Sequence, residues 1–359
     1  MKIIVGISGG VDSSVSALLL RQQGYDVEAL FMKNWNEETE SGGCTWEADV
    51  EDAMEVCEKL NIPLNTIDLS AEYWDAVFSS VLSDFKQGLT PNPDILCNQE
   101  IKFRAFMDHA LSMGADKIAT GHYARVSFEE NCHLLKKGLD ENKDQSYFLC
   151  RLTQKQLSKS MFPIGELQKS EVRRIARQNK LLVHDKKDST GICFIGERPF
   201  KEFLSRYIPL KKGLIKTRDG KILGEHDGVY FYTIGQRQGL GIGGIKGANN
   251  EPWYVIDKDN EQNIIYVAQG KDNAMLYTNH LRAGEIHWIN NSPRQLPYQC
   301  KVKTRYRQAD QDCIIRALEG DSAQIEFLAP QKAITPGQYI VFYEDDICLG
   351  GGIILSAGS

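Results

Sequence analysis

The stretch KIIVGISGGVDSSVSALLL, residues 2–20, decides the architecture. Lys2 to Ile7 is a short β-branched run, Ser8-Gly9-Gly10-Val11-Asp12-Ser13-Ser14 follows it, and an amphipathic stretch from Ser14 to Gln23 continues until Gly24 ends it. This order predicts a strand, a glycine loop and a helix. There, backbone N–H groups and the helix dipole can hold phosphate, and the paired glycines let the backbone approach it closely. The loop matches neither G-x-x-x-x-G-K-[ST] nor G-x-G-x-x-G, so a GTPase or a dinucleotide enzyme has no support. SGG by itself would equally serve a tight strand-to-helix turn.

Outward from this unit, Val27 to Phe31 and Leu64 to Asp68 read as strands, and Glu47 to Leu60, Glu72 to Lys86 and Gln99 to Met113 as helices. Lys117 to Thr120 is a further strand. The alternation predicts an α/β, doubly wound parallel sheet over residues 1–205. Beyond Tyr207 helical periodicity stops and glycine-punctuated apolar runs take over, which predicts small, mainly β domains at 206–282 and 283–359. DKDNEQN, residues 257–263, reads as a hairpin turn, and Pro293 with Pro297 marks an exposed connection.

The chain has 359 residues, 42% hydrophobic and 25% charged, with a mean hydropathy of -0.36. That composition leaves no run for a membrane span, and the first residues read as a buried strand rather than a signal peptide, so the protein is expected to begin at Met1. Nine cysteines, an odd number without a C-x-x-C pair, argue against a disulfide framework, a zinc site or a thioredoxin-type motif and for a reducing, cytoplasmic setting. The net charge of -6 disfavours a polyanionic partner, yet residues 151–221 carry 18 Lys and Arg against 7 Asp and Glu. Solvated helical faces would explain that segment as well as a polyanion would. Residues 34–58 carry nine acids and no base, and no function is assigned to them.

Two cysteines stand in informative company. Cys97, in TPNPDILCN (residues 90–98), is expected just ahead of the Gln99 helix, where the dipole favours a thiolate; Asp94, three residues earlier, is placed to exchange a proton. Cys193 lies in DSTGICFIG, residues 188–196, among small residues in the basic region. Any one cysteine is more often a buried small hydrophobe. Two separated thiols beside a nucleotide loop suggest sulfur transfer, one carrying a persulfide and the other displacing it by exchange.

The full string S-G-G-x-D-S-S resembles the pyrophosphatase loop of the N-type ATP pyrophosphatases. The resemblance implies a loop that grips the pyrophosphate of ATP while a substrate oxygen attacks the α-phosphate, with Asp12 helping to hold Mg2+. Over essentially the whole length the chain is similar to the bacterial tRNA-specific 2-thiouridylases. The matching strings are LFMKNW (30–35), TPNPDILCNQEIKF (90–103), ATGHYAR (119–125), DQSYFL (144–149), STGICFIGER (189–198), TIGQRQGLGIGG (233–244), PWYV (252–255), TRYRQ (304–308), PGQ (336–338) and CLGGG (348–352). Gln238 departs from the pattern, standing where lysine is expected.

This second resemblance implies a last domain that is a β-barrel and an activity that thiolates the wobble uridine of lysine, glutamate and glutamine tRNAs. It implies an ATP site lined by Gly6, Ile7, Ser8, Gly9, Gly10, Val11, Asp12, Ser13, Met32 and Gly121, with Met32 on the adenine. Asn92, Pro93 and Asp94 would contact the target uracil. Cys97 would be the nucleophile, Cys193 the persulfide carrier, and the two would end as a disulfide. His122, Lys143, Asp144, Gln145, Arg305, Tyr306 and Gln338 would touch tRNA, and the basic segment would carry non-specific affinity. A cysteine desulfurase or a sulfur relay protein would deliver sulfur. An adenylating amide or amidine ligase with incidental cysteines, and a nucleotide-gated RNA-binding module, are the competing readings. Both direct persulfide attack and release of hydrosulfide stay open, as does an iron-sulfur cluster on Asp94, Cys97 and Cys193.

Overall fold

The computed structural model describes residues 1–35, 46–188, 200–243, 251–293 and 295–358. The chain opens with β1 (Lys2–Ile7), α1 (Val11–Gln22), β2 (Asp26–Lys33), α2 (Glu47–Leu60) and β3 (Leu64–Asp68). Next comes α3, which runs as Ser70–Tyr73, a wider-turned Trp74–Phe78 and Ser79–Lys86. In the same way α4 runs as Pro93–Leu96, a π-helical Cys97–Ala105 and Phe106–Ser112. The N-terminal part is completed by β4 (Lys117–Ala119), a hairpin of β5 (Ala124–Glu129) and β6 (Cys132–Lys137), then α5 (Gln154–Ser158), β7 (Ser160–Met161), α6 (Lys169–Gln178) and α7 (Phe200–Ser205).

The expected parallel sheet is present, in the order β3-β2-β1-β4-β7. Strand alternation sends Ile3, Val5 and Ile7 into one apolar cluster with α1, α2 and α6, and Ile4 into another with α3 and α4. Helices therefore cover both faces. With β2 on one side of β1 and β4 on the other, the strand order reverses at β1, so the loop leaving its carboxyl end sits at the switch point where such sheets bind ligands.

The middle part is a four-stranded sheet of β8 (Gly213–Lys216), β9 (Ile222–His226), β10 (Trp253–Asp259) and β11 (Ile264–Gln269), and β10 and β11 form the expected hairpin. The last part comprises β12 (Tyr277–Trp288), β13 (Tyr298–Lys303), β14 (Gln311–Glu319), β15 (Ser322–Lys332), β16 (Tyr339–Glu344) and β17 (Ile347–Ala357). Antiparallel pairing of β12 with β17 closes these strands into a barrel. Inward residues such as Leu281, Val302, Ile315, Phe327 and Phe342 fill it. Its first strand spans the position between 282 and 283 where a domain boundary is expected.

One join is absent from the sequence reading. β6 pairs with β17, Ile347 opposite Lys136 and Cys348 opposite Leu135, so a hairpin of the N-terminal part extends the barrel's sheet. Polar contacts reinforce it: Arg125 meets Asp346 at 2.7 Å, Lys137 meets Asp310 at 2.5 Å, and buried Asp144 receives Lys303 at 3.3 Å. Ser146 Oγ lies 3.2 Å from the Tyr343 hydroxyl. The apolar cluster holding Ile4 and Cys97 also runs on through Ile215 and Tyr343 into both β parts.

Candidate active site

The loop after β1 is built by its own side chains. Ser13 Oγ accepts the Ser8 N–H at 3.2 Å and donates to Gly10 O at 3.1 Å. Gly9 has φ +68°, and a Cβ there would collide with the Asp49 carbonyl, so only glycine fits. No side chain caps α1 at Gly10, which leaves the first-turn N–H groups pointing into the loop. Gly121 closes the other wall, where a Cβ would stand 2.7 Å from Ser13 N and 2.8 Å from the Asp12 carbonyl carbon. On the floor, a Cβ at Gly6 would lie 3.7 Å from the Met32 methyl and 3.3 Å from the Phe106 ring. The structure thus gathers Gly6 to Ser13, Met32 and Gly121 around one loop, and Phe106 ties α4 to its floor.

Charged residues missed by the sequence reading surround this loop. Lys169 Nζ lies 2.8 Å from both carboxylate oxygens of Asp12, whose Oδ1 also accepts the Tyr123 hydroxyl at 2.8 Å. Asp188 receives Lys169 at 2.7 Å, Lys143 at 2.5 Å and Arg173 at 2.9 Å. Burial by itself would raise the Asp188 carboxyl, but the Lys143 and Lys169 hydrogen bonds hold it down to about 2. Lys186 donates to Gly9 O at 3.1 Å, to Asp49 at 2.8 Å and to Asp52. The acidic stretch and the basic segment therefore neutralise one another beside the loop. Within residues 151–221, Lys169, Arg173 and Lys186 are held in ion pairs at this loop, as is Lys143 ahead of that segment. The local excess of charge was the available signal.

Cys97 also requires a correction. Asn92 caps α4, its Oδ1 accepting the Ile95 N–H at 3.3 Å with Pro93 at the first position, so Cys97 lies inside the helix rather than ahead of it. Its own N–H is bonded back to Pro93 and Asp94 carbonyls, and its side chain is 0% exposed. The dipole argument made for a cysteine at the helix start loses its basis, because the helix is already hydrogen-bonded there. Asp94 is half-buried one turn earlier. The neighbouring Asn98 donates to Phe148 O at 3.3 Å and Gln99 accepts from Arg151 at 3.2 Å, which fixes the Cys97 turn against the 144–151 segment.

The residues expected at tRNA are divided. His122 is 7% exposed, with Nδ1 2.8 Å from Thr120 Oγ1 and its ring beside Phe103 and Phe162. Burial, with Lys102 nearby, holds its pKa well below 6.5, so it is neutral and reaches no surface. Asp144 is buried too, its carboxylate bonded to Gly138 N, Ser146 and Lys303. Gln145 holds Tyr123 N at 3.0 Å. Tyr306 packs against Phe148 with centroids 4.4 Å apart and ring planes tilted by 42°, and lies beside Lys143, its hydroxyl 3.4 Å from Lys143 O. Arg305 is exposed, anchored at 2.8 Å to Ala333 O. Gln338 reaches across from the barrel to Thr90 O at 2.8 Å and Pro91 O at 3.2 Å, just before the Asn92 cap. Cys193 lies outside the described residues.

Three family profiles match in chain order. They are described as a tRNA methyl transferase HUP domain over residues 1–197, a tRNA methyl transferase PRC-barrel domain over 201–269 and an aminomethyltransferase beta-barrel domain over 278–354. Full-length relatives are named differently. The tRNA-specific 2-thiouridylase MnmA of Geobacillus thermodenitrificans is 54% identical over 98% of this chain and 94% of its own, and that of Legionella pneumophila (strain Philadelphia 1) is 54% identical over 98% of each. The chain belongs to the tRNA-specific 2-thiouridylase family. As a member it is an enzyme, and its HUP domain, PRC-barrel and C-terminal barrel are those of the family. Among solved structures, an NMN synthetase from Francisella tularensis is 19% identical with a TM-score of 0.34, covering 57% of this chain and 71% of its own. A 4-thiouridine synthetase–RNA complex with bound ATP is 15% identical with a TM-score of 0.35, covering 57% and 49%.

Proposed function

We propose that this thiouridylase converts the wobble uridine of lysine, glutamate and glutamine tRNAs to 2-thiouridine at the expense of ATP. The observation that carries the reading is the Phe106–Gly6 contact. Phe106 belongs to the helix that begins with Asp94 and Cys97, so that helix reaches the floor of the phosphate-type loop, which supports a reading in which it presents the target base to the nucleotide. The Geobacillus and Legionella relatives, matched over nearly their full length, are named tRNA-specific 2-thiouridylases.

In the first half, the loop N–H groups of Gly9 to Ser13 hold the pyrophosphate of ATP, uracil O2 attacks the α-phosphate, and pyrophosphate leaves. The N3 proton is lost as O2 bonds to phosphorus, and Asp94, one turn before Cys97, takes it. Met32 packs on the adenine. Mg2+ would neutralise phosphate charge. Among the described residues no cluster of three His, Cys, Asp or Glu is placed to hold a metal, so Asp12 would supply one carboxylate and phosphates and water the rest.

In the second half, sulfur replaces the activated oxygen at C2 and AMP leaves. A persulfide on Cys193 attacks C2 and expels AMP, and Cys97 then attacks Cys193 Sγ, breaking its S–S bond so that the outer sulfur stays on C2; alternatively Cys97 attacks Cys193 Sγ first and frees hydrosulfide, which attacks C2 and expels AMP. Both routes leave a Cys97–Cys193 disulfide that an external dithiol must reduce. Tyr306 and Arg305 would contact the tRNA, with Lys143 and Gln338 beside them once their present partners release them, and a cysteine desulfurase or sulfur relay protein would supply the persulfide. Because Cys97 is sealed in the core, base entry has to open this pocket.

The test is pyrophosphate release. Unmodified lysine tRNA should trigger it from ATP, whereas the same tRNA already carrying 2-thiouridine, which has no O2 to adenylate, should not. Release without tRNA on adding an amine and a carboxylate would instead support a ligase.

A further inference from the structure

The turn between α3 and α4, Gln87 to Pro91, has its backbone polar groups taken up by the two other parts of the protein. From the middle part, Lys258 Nζ donates to Gly88 O at 2.5 Å and Tyr232 O at 2.9 Å, and Asn260 Nδ2 donates to Gln87 O at 2.6 Å. From the barrel, Gln338 donates to Thr90 O and Pro91 O, and Pro336 O accepts Thr90 N–H at 3.0 Å. The fit is close: Gly88 has φ +75° and a Cβ on it would collide with the Asn260 amide, while a Cβ on Gly337 would lie 2.7 Å from Thr90 N. The next residue, Asn92, caps α4 and starts the turn that carries Asp94 and Cys97.

A half-buried ammonium still loses hydration at a cost unless its donors are used, and Lys258 uses its own on backbone carbonyls of two segments. That expense yields position: the turn can take one path only, and the path sets where the first turn of α4 stands. We infer that Lys258 and Asn260 are positioning residues for the tRNA thiolation step, holding the α3–α4 turn so that Asn92, Asp94 and Cys97 present a fixed first turn to the target base. This rests on the function proposed above. Neither residue touches the reacting atoms. A displacement of about 1 Å at such a turn costs on the order of a hundredfold in rate.

The experiment measures thiolation of unmodified lysine tRNA by the full-length protein with ATP and a persulfide source, for wild type, Lys258→Met, Lys258→Arg and Asn260→Ala. Methionine fills similar space without donors, and exposed Asn260 tolerates truncation, so it serves if Lys258→Met does not fold. The expected result is a kcat lowered roughly ten- to a hundredfold in Lys258→Met and Asn260→Ala. The KM for ATP and the Kd for tRNA stay at wild-type values, and Lys258→Arg recovers most of the rate. Unchanged kcat in folded variants, or a loss seen wholly in tRNA affinity, overturns the inference while leaving the function intact. A wild-type protein that thiolates no tRNA overturns both.

Discussion

Lys169 and Asp12 stand 157 positions apart in the chain and meet through two 2.8 Å contacts, with 12% of the lysine side chain exposed. Lys169 also holds Asp188, so it is the shared cation of two carboxylates at the nucleotide loop. Hydrogen bonds to charged groups contribute about 2 kcal/mol each. Lys169→Met should lower the melting temperature and weaken ATP binding at least tenfold by titration calorimetry. ATP affinity equal to wild type would make the pair purely structural.

Gly121 leaves no room for a methyl group against Ser13 N. Gly121→Ala should push the Asp12–Ser13 backbone out of place at a cost of about 1–3 kcal/mol. ATP binding should fall while filter binding of tRNA stays near wild type.

His122 is neutral in the folded protein and titrates ordinarily when unfolded. Since its folded pKa lies well below 6.5, the unfolded chain binds the extra proton first, and stability falls as pH drops below about 6.5. Denaturation of wild type and His122→Gln from pH 7.5 to 5 should show the steeper acid loss in wild type; parallel curves would mean that this ring is not the source.

Lys258 gives the opposite window. Burial lowers its pKa to about 8, partly offset by Asp257, against roughly 10.4 for an unperturbed lysine. Below pH 8 the folded state carries the full cost of the half-buried charge. As pH rises from about 8 toward about 10.4 that cost is relieved, so wild type gains stability relative to Lys258→Met over that interval. Chemical denaturation of both proteins at pH 7.5, 8.5 and 9.5 checks the direction.

Local signals made the sheet legible. Ile3, Ile4, Val5 and Ile7 alternate faces, and SGGVDSS stands where the chain turns from strand to helix. The start of α4 was legible in principle as well, since Asn92 followed by Pro93 is a cap with proline at the first position, which apolar periodicity alone does not register. Other relationships leave no local trace. The β6–β17 pairing, the Lys169–Asp12 pair and the Gln338–Thr90 bond join residues more than a hundred positions apart, and composition shows only that charges exist, not which ones neutralise each other. For that reason the sequence shows only an excess of basic residues, whereas in three dimensions Lys169, Arg173 and Lys186 are paired with carboxylates at the loop. His122 and Asp144 likewise look available in their motifs and prove to be buried.

In the proposed function Cys97 and Cys193 pass sulfur to an ATP-activated uridine. The most direct measurement is transfer of radiolabelled sulfur, from cysteine with a desulfurase, into unmodified lysine tRNA with and without ATP, for wild type, Cys97→Ser and Cys193→Ser. Label should appear in tRNA only with ATP and with both thiols present. Label that still reaches tRNA at the wild-type rate in either serine variant, or without ATP, would contradict that function.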